Sequence, residues 1–444
     1  MGESLLSVGL DVGTTTTQMV VSRLEIGNRA GSFTVPEYVI SQRQVIYKSP
    51  VYFTPLIGEE LVDGEKIKAL VAREYERAGI SREQVDTGAV IITGETSRRE
   101  NAEAVTRALS EYAGDFVVAT AGPDLESVLA ARGAGAVEYS RQTGKRVLHI
   151  DIGGGTSNIA LIEDGVITAT GCVNVGGRLL RWDERGCICY ISPVAQRLCD
   201  ASLGRPFDGR ILAKTLVKAL EMAAGLRPAD ALLEQVRTKG TSMKIPEGEW
   251  VISFSGGVAD CIEKSMEKDA FGDLGPALGQ EIKNSLLCRG RYRLGQQTIR
   301  ATVIGAGCYS AQLSGSTVFF RNIDFPLKNL PVVQAGEEDL GQRLSTLDGD
   351  GILFFSGAEP SYKQVKSLAE RIVKAAEGKR IYVAVDKDMA KALGQAIALM
   401  AGEDAAVLCI DGVGLKAGDY LDVTAPVGTA LPVIVKTLIF ETGG

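Results

Sequence analysis

Two short apolar strands, each ending in aspartate and followed by a glycine-rich turn, constrain the fold of this chain more than any other feature. The first reads LLSVGLDVGTTTTQMVV and carries Asp11 and Gly13, and the second reads VLHIDIGGGTSNIALIE and carries Asp151. Glycine has no Cβ atom, so the backbone N–H groups of such a turn can approach a phosphate closely. Carboxylate oxygens beside phosphate suit Mg²⁺. Two facing hairpins of this kind predict a site that clamps one nucleotide between two domains.

Two further segments extend the pattern. WVISFSGGVADCIE is an apolar strand followed by Gly256 and Gly257 at a helix start, and ATVIGAGCYSAQL carries Gly305 in a predicted closing turn. In chain order, the four segments resemble phosphate loop 1, phosphate loop 2, the adenosine loop and the final glycine-rich turn of the actin, Hsp70 and sugar-kinase superfamily. The resemblance implies an α/β, actin-like ATPase fold of two duplicated ribonuclease H-like halves. Each loop by itself is also consistent with an ordinary tight turn.

The superfamily resemblance implies roles for individual residues. Asp11 and Asp151 would hold Mg²⁺, largely through water, and Asp151 would also help to position the attacking water. Glu126 begins ESVLAARGAG, which is similar to the helix that crosses between the two domains, and it would orient that water. The alternative for Glu126 is a surface carboxylate. Asp11, Glu126 and Asp151 are thus the predicted catalytic residues. The predicted nucleotide contacts are Gly13, Thr14, Thr15, Gly153, Gly154, Gly155, Thr156, Gly256, Gly257 and Gly305.

The chain divides into three predicted domains. Residues 1–145 form the first ATPase half, with phosphate loop 1 and the crossing helix, and residues 146–325 form the second half, with phosphate loop 2 and the adenosine loop. Residues 326–444 change in character to a βαβαβ pattern, which predicts a parallel sheet with right-handed crossovers. We expect this C-terminal α/β domain to pack on the second half.

Composition excludes several classes of function. The net charge of −7 argues against nucleic acid or an anionic membrane as the main partner, and no apolar run of 18 residues predicts a membrane span. The N-terminus lacks the pattern of a signal peptide, so we expect a cytoplasmic protein. His149 is the only histidine and is expected in the core. The eight cysteines are scattered, with Cys187 and Cys189 as the one close pair, and they leave a metal or iron–sulfur role open.

Three runs point to a particular family. ITGETSRRENAEAV, TATGCVNVGGRLLRWD and LDVTAPVGTALPVIVKTLIF resemble the ethanolamine ammonia-lyase reactivating factor family, EutA, and the resemblance covers essentially the whole chain. It implies an ATP-dependent, chaperone-like reactivase with weak ATPase activity. Such a protein releases damaged cobalamin from adenosylcobalamin-dependent ethanolamine ammonia-lyase so that intact cofactor rebinds. ATP or ADP and Mg²⁺ would be bound, cobalamin would not be held permanently, and a homodimer and association with a bacterial microcompartment are left open.

Other functions on the same fold remain alternatives. A small-molecule kinase would use a catalytic aspartate such as Asp151 toward a substrate hydroxyl. An iron–sulfur activator of a dehydratase would need cluster ligands, for which Cys187 and Cys189 are the candidates. An actin-like filament is a third alternative, although the C-terminal domain argues against stacking.

Overall fold

The structure is a computed structural model. It describes residues 4–13, 16–28, 38–57, 61–93, 105, 109, 117–120, 123–238, 245, 248–264, 270–309, 311–314, 317–335, 340, 350–357, 361–376, 378, 380–416, 419–426 and 431–437. None of the helices in these ranges is long and apolar enough to cross a membrane.

The first half contains a mixed sheet and three helices, and the last two of these helices contact the sheet of the second half. Its strands are β1 (Ser4–Val12), β2 (Thr16–Asn28), β3 (Tyr38–Lys48), β4 (Tyr52–Phe53), β5 (Leu56–Ile57), β6 (Leu61–Val62), β7 (Thr87–Ile92) and β8 (Val117–Thr120), and its helices are α1 (Gly64–Ala78), α2 (Pro123–Gly133) and α3 (Ala136–Thr143). The main path of the sheet is β3-β2-β1-β7-β8. β1 pairs antiparallel with β2 and parallel with β7. α1 begins where the Asp63 carboxylate accepts a hydrogen bond from the Lys66 N–H at 3.1 Å, and it ends at Gly79, whose φ of 66° few other residues adopt.

The second half repeats this sheet. Its strands are β9 (Val147–Ile152), β10 (Ser157–Glu163), β11 (Val166–Val173), β12 (Leu180–Trp182), β13 (Ile188–Ile191), β14 (Val251–Ser255) and β15 (Tyr292–Leu294), and its helices are α4 (Pro193–Leu198), α5 (Gly209–Ala223), α6 (Ala231–Val236), α7 (Ala259–Glu263), α8 (Gly275–Lys283) and α9 (Ala301–Tyr309). The order β11-β10-β9-β14-β15 matches the first sheet strand for strand. β9 pairs antiparallel with β10 and parallel with β14, as β1 does with β2 and β7. All residues of β9 and β14 are buried, as their nearly continuous apolar runs indicate. The duplication predicted from the sequence is confirmed.

α2 and α9 pack closely against each other where the two halves join. A Cβ atom on Gly133 of α2 would lie 1.8 Å from the Ala301 carbonyl oxygen of α9. A Cβ atom on Gly305 of α9 would lie 2.1 Å from the Leu129 carbonyl oxygen of α2. Such distances are far inside van der Waals contact, so only glycine allows the two backbones to approach this closely. α9 also lies against β1 and β2, so this helix, expected in the second half, packs on the sheet of the first.

The C-terminal region forms a third sheet. Its strands are β16 (Ala311–Leu313), β17 (Val318–Arg321), β18 (Leu327–Gln334), β19 (Ile352–Phe355), β20 (Ile381–Val385), β21 (Val407–Asp411), β22 (Asp419–Val423) and β23 (Pro432–Thr437), and its helices are α10 (Tyr362–Ala376) and α11 (Ala390–Ala401). The order is β16-β23-β22-β18-β19-β20-β21-β17. β18 to β21 run parallel, in agreement with the βαβαβ pattern of the sequence.

The position of this sheet differs from the expectation. β16 and β17 precede the boundary predicted at residue 326, yet they pair with β23 and β21, so the sheet begins before that boundary. Among the described elements, β16 lies beside β3 and α9, and β23 lies beside β8. The C-terminal sheet therefore contacts the first half, and its packing on the second half stays a prediction. The sequence pattern gives the strands but not their tertiary neighbours.

Candidate functional site

The first predicted phosphate loop is the hairpin between β1 and β2. The Gly13 N–H closes the turn by donating to the Thr16 carbonyl at 2.9 Å, and the Gly13 carbonyl accepts from the Thr54 hydroxyl at 2.7 Å. Asp11 lies at the end of β1 and is only 7% exposed. Its carboxylate accepts a hydrogen bond from the Thr93 hydroxyl, which follows β7, at 3.0 Å. The two parallel strand ends together hold this carboxylate at the edge of the sheet.

The second predicted phosphate loop has the same construction. The Gly153 N–H donates to the Thr156 carbonyl at 2.9 Å, and this bond is equivalent to the one from Gly13 to Thr16 that closes the first loop. The segment after β11 supports the loop from behind: the Gly177 N–H donates to the Gly153 carbonyl at 3.0 Å, and the Arg178 N–H donates to the Gly154 carbonyl at 2.7 Å. With their carbonyls bound from this side, the loop glycines form a rigid turn whose other side is free for a ligand.

The aspartates of the two loops interact through their charges. Burial raises the pKa of Asp11 to about 6, hydrogen bonds from Thr93 and Gln18 oppose this shift, and the nearby charge of Asp151 adds to it. Burial also raises the pKa of Asp151 to about 6, against a hydrogen bond from Ser255. Two buried carboxylates that repel each other are stabilised by a cation placed between them. The structure thus brings together the two predicted metal-binding residues, one from each half.

Glu126 lies close to the second loop. It is 8% exposed on α2, and its Oε2 atom accepts a hydrogen bond from Asn158 Nδ2 at 2.7 Å. Asn158 is the β10 partner of Asp151 in the antiparallel register. The alternative of a surface carboxylate is therefore wrong, because Glu126 is buried and bonded to the residue opposite the predicted metal-binding carboxylate.

Two amide side chains of the site are absent from the sequence-based prediction. Gln18 lies opposite Asp11 in the first hairpin, and Asn158 lies opposite Asp151 in the second. Gln18 Oε1 and Asn158 Oδ1 are buried and have no hydrogen-bond partner among the described residues. A buried amide oxygen without a partner is unfavourable by about 1–3 kcal/mol, so a ligand or bound water is expected there. The signal in the sequence is an amide side chain directly before an apolar run, Met19–Val21 in β2 and Ile159–Ile162 in β10.

The predicted adenosine loop lies directly beside the second phosphate loop. Gly256 follows β14 with a φ of 86°, and a Cβ atom there would lie 2.2 Å from the Ile152 carbonyl oxygen at the end of β9. The Gly256 N–H donates to the Thr298 carbonyl at 3.1 Å. A Cβ atom on Gly257 would meet only the Ile299 side chain, at 3.9 Å, so the outer face of this loop is open.

The remaining predicted contacts have different outcomes. Thr14 and Thr15 lie outside the described residues. The turn predicted around Gly305 is wrong: the residue lies inside α9, and its contact with α2 explains why glycine is there. A nucleotide contact by Gly305 therefore has no support from its position and stays a prediction.

The chemistry of the site fits a magnesium–nucleotide complex. The chain supplies two buried carboxylates, two amide oxygens without a partner among the described residues, and two glycine turns closed by backbone bonds. A Cβ atom on Gly155 would meet nothing within 4 Å, so the second loop borders open space. Mg²⁺ usually takes one or two carboxylates and keeps several waters, for which the amide oxygens are suitable acceptors. Asp11 and Asp151 would hold the ion, and Gln18 and Asn158 would accept from its waters.

A further contact joins the two halves beside the loops. The Arg178 guanidinium lies over the Phe53 ring, 5.5 Å from its centroid, and its Nε is 3.1 Å from Asp273 Oδ2. Phe53 belongs to β4, which pairs with the start of β2 next to the first loop. Arg178 supports the second loop through its backbone, so one side-chain contact links the supports of both loops.

The close cysteine pair lies at the hairpin of β12 and β13. Cys187 is half-buried and Cys189 is exposed at the β12–β13 hairpin, and both are free thiols. Within the ranges given above, no group of three or more His, Cys, Asp and Glu side chains could hold a metal ion. His149 is fully buried in β9, as expected.

Two sheets that share one five-strand order, crossing helices at their junction and two facing hairpin loops define the class of this protein: it has the actin-like ATPase fold, with a C-terminal α/β domain. The chain belongs to the EutA family, described as ethanolamine utilisation protein EutA, whose family model matches residues 3–441.

The relatives agree with this assignment. The chain is 38% identical to the ethanolamine ammonia-lyase reactivase EutA of Salmonella typhimurium strain LT2, over 99% of both chains. It is also 38% identical to the protein of the same name from Escherichia coli strain K12, again over 99% of both. Among solved structures, the Aquifex aeolicus PPX-GPPA enzyme is similar with a TM-score of 0.43 and 12% identity, over 68% of this chain and 99% of that one.

Proposed function

We propose that this chain is a magnesium-dependent ATPase that acts as a chaperone-like reactivase of ethanolamine ammonia-lyase, releasing damaged cobalamin so that intact cofactor can rebind. The observation that carries the nucleotide part is the pair of facing hairpins with the coupled carboxylates Asp11 and Asp151. The lyase as partner is supported by the full-length relatives, which carry the name of a reactivase of that enzyme.

Residues of both halves bind the phosphates and orient the attacking water. The glycine turns of both loops lie against the β- and γ-phosphates from opposite halves, where bound Mg²⁺ would neutralise phosphate charge. The Gly13 and Gly153 N–H groups close the turns, so Gly154 and Gly155 supply the N–H donors of the second loop. Glu126, held by Asn158, orients a water molecule toward the γ-phosphorus and takes up its proton. The bond between the γ-phosphorus and the bridging oxygen then breaks, which leaves ADP and inorganic phosphate.

Hydrolysis is coupled to a change in closure of the two halves. The γ-phosphate is contacted from both loops, so its loss removes contacts that favour the closed arrangement over the open one. The supports of the loops meet at Phe53 and Arg178, and the halves join at the glycine contacts of α2 and α9. Closure on ATP and opening on ADP give two states, one that grips the lyase and one that releases it.

A reactivation assay tests the proposal. Ethanolamine ammonia-lyase blocked with cyanocobalamin is mixed with the protein, ATP, Mg²⁺ and free adenosylcobalamin, and ammonia release from ethanolamine is followed. Activity should return only when all components are present, and substoichiometric amounts of the protein should suffice. Asp11→Ala should fail, while Asp124→Asn, an exposed carboxylate on α2, should act as the wild type. Reactivation without nucleotide, or none with a responsive lyase, would refute the proposal.

A further inference from the structure

The only histidine of the chain belongs to a buried line of hydrogen bonds that ends at the nucleotide site. His149 Nδ1 lies 3.2 Å from Ser253 Oγ, and His149 Nε2 lies 2.9 Å from Ser255 Oγ. The Ser255 hydroxyl is in turn bonded to Asp151 Oδ1. The four residues sit on the adjacent parallel strands β9 and β14, where Ser253 is beside His149 and Ser255 is beside Asp151. We call these four residues the His149 network.

The direction of each bond in the His149 network follows from counting protons. An ionised carboxylate only accepts, so the Ser255 hydroxyl donates to Asp151. Its single proton is then used, and its oxygen accepts from the imidazole, which places the proton of His149 on Nε2. His149 is fully buried and both its ring nitrogens face neutral serine hydroxyls, so the ring is neutral. The neutral ring has one proton, so Nδ1 accepts from the Ser253 hydroxyl.

We propose that His149 is a positioning residue for the magnesium-binding carboxylate: through Ser255 it fixes Oδ1 of Asp151 and leaves Oδ2 for the metal and its waters. This inference rests on the proposed function for its ligand. Every donor of the His149 network points toward Asp151, so the carboxylate, 7% exposed, is held in one orientation by residues that are fully buried. Groups that orient a metal-binding side chain in this way contribute to metal affinity without touching the metal.

The same network connects the carboxylate to the adenosine loop. Ser255 is the last residue of β14, and Gly256, the first glycine of the adenosine loop, follows it directly. The Ser255 hydroxyl therefore joins the start of the adenosine loop to Asp151 of phosphate loop 2. A shift of the adenosine loop that moves Ser255 changes the hydrogen bond on Oδ1, which couples occupancy by adenosine to the metal-binding carboxylate.

The first experiment needs neither nucleotide nor metal. The protein is labelled with ¹⁵N-histidine and its single imidazole is observed by NMR at about pH 7. We expect one neutral ring protonated on Nε2. Ser255→Ala removes the acceptor, so the Nε2 resonance should shift or the tautomer should change. Protonation on Nδ1, or a spectrum that Ser255→Ala does not alter, would overturn the proposed bond order and the inference with it.

The second experiment measures magnesium-dependent nucleotide binding, with a fluorescent ADP analogue titrated at fixed concentration against Mg²⁺. His149→Leu should raise the Mg²⁺ concentration for half-maximal binding about tenfold, the low end for removing a group that orients a metal-binding side chain. Without Mg²⁺, the affinity for the analogue should change less than twofold. His149→Gln, whose amide can donate in place of Nε2, should recover most of the loss.

Controls separate a folding defect from a positioning defect. Ile162→Val, a fully buried change on the neighbouring β10, should lower the melting temperature without changing the Mg²⁺ dependence. If His149→Leu does not fold, His149→Gln and Ser255→Ala carry the comparison. Equal Mg²⁺ dependence in all variants, with wild-type binding intact, overturns the inference. If the wild type binds no nucleotide at all, the proposed function fails and the inference loses its ligand, whereas the NMR result still reports the bond order.

Discussion

Replacing Glu126 by glutamine isolates the charge of the proposed water-orienting group. Glutamine keeps the length and shape of the side chain, and its amide oxygen can still accept the hydrogen bond that Asn158 Nδ2 gives to Glu126 Oε2 at 2.7 Å. It cannot take a proton from water. Glu126→Gln should therefore keep ATP affinity, lower the rate of hydrolysis and trap the ATP state.

The expected effects on rate and folding differ enough to be told apart. A general base contributes at least roughly 10²-fold to the rate, which corresponds to about 2.7 kcal/mol of activation free energy. The bond to Asn158 changes from charge-assisted to neutral, which roughly halves its strength. That lowers the free energy of unfolding by about 1 kcal/mol. The change in rate should thus exceed what lost stability explains.

The assay is single-turnover hydrolysis of Mg-ATP, with the melting temperature and ATP affinity of each variant measured beside it. Asp124→Asn is the matched control, because Asp124 is an exposed carboxylate on the first turn of the same helix. It should hydrolyse ATP at the wild-type rate. If Glu126→Gln also does so, the buried carboxylate is a structural partner of Asn158, and water is oriented by another group.

Three further predictions follow from the same contacts. Asp11→Asn should lower Mg-ATP hydrolysis by at least roughly 10²-fold. It should also stabilise the metal-free protein at about pH 7.5 by about 3 kcal/mol, because folding raises the pKa of this carboxyl from 3.8 to about 6 and so favours its neutral form. The gain should disappear toward about pH 3, below both pKa values, where the carboxyl is protonated in both states; equal gains at both pH values in chemical denaturation would contradict it. Gly305→Ala should destabilise the protein by about 1–3 kcal/mol, because its Cβ atom would lie 2.1 Å from the backbone of α2, whereas Gly257→Ala should leave the melting temperature unchanged and alter only nucleotide affinity. Phe53→Ala should weaken closure of the two halves by about 0.5–1 kcal/mol, because the contact with Arg178 is lost. Hydrogen exchange of the two loops in the ATP state should then increase, and unaltered exchange would argue against a role of Phe53 in closure.

The parts of the fold set by local chemistry could be predicted from the sequence. Both hairpins were recognised because glycine and aspartate have strong local reasons to stand at a tight turn that ends a buried strand. The duplication followed from the repeated order of strands. The parallel part of the third sheet followed from alternating strands and helices. In each case a short segment carries its own signal.

The parts that depend on tertiary neighbours could not be predicted in this way. Gly305 looks the same in sequence whether it makes a turn or lets two helices touch, and only the position of α2 decides. Gln18 and Asn158 are recognised as site residues only from the hairpin register, which places them opposite Asp11 and Asp151. The contact of the C-terminal sheet with β3 and β8 depends on surfaces that have no short sequence pattern.

In the proposed cycle, the contacts around the site let a small chemical change move two large halves. The halves are joined at the glycine contacts of α2 and α9, and they meet again where Arg178 lies over Phe53. The two coupled carboxylates lie at the loops between the halves, so a cation and phosphates bound there act on both at once. The proposed cycle therefore needs no rearrangement inside either sheet: loss of the γ-phosphate removes contacts from both loops at once and so weakens closure.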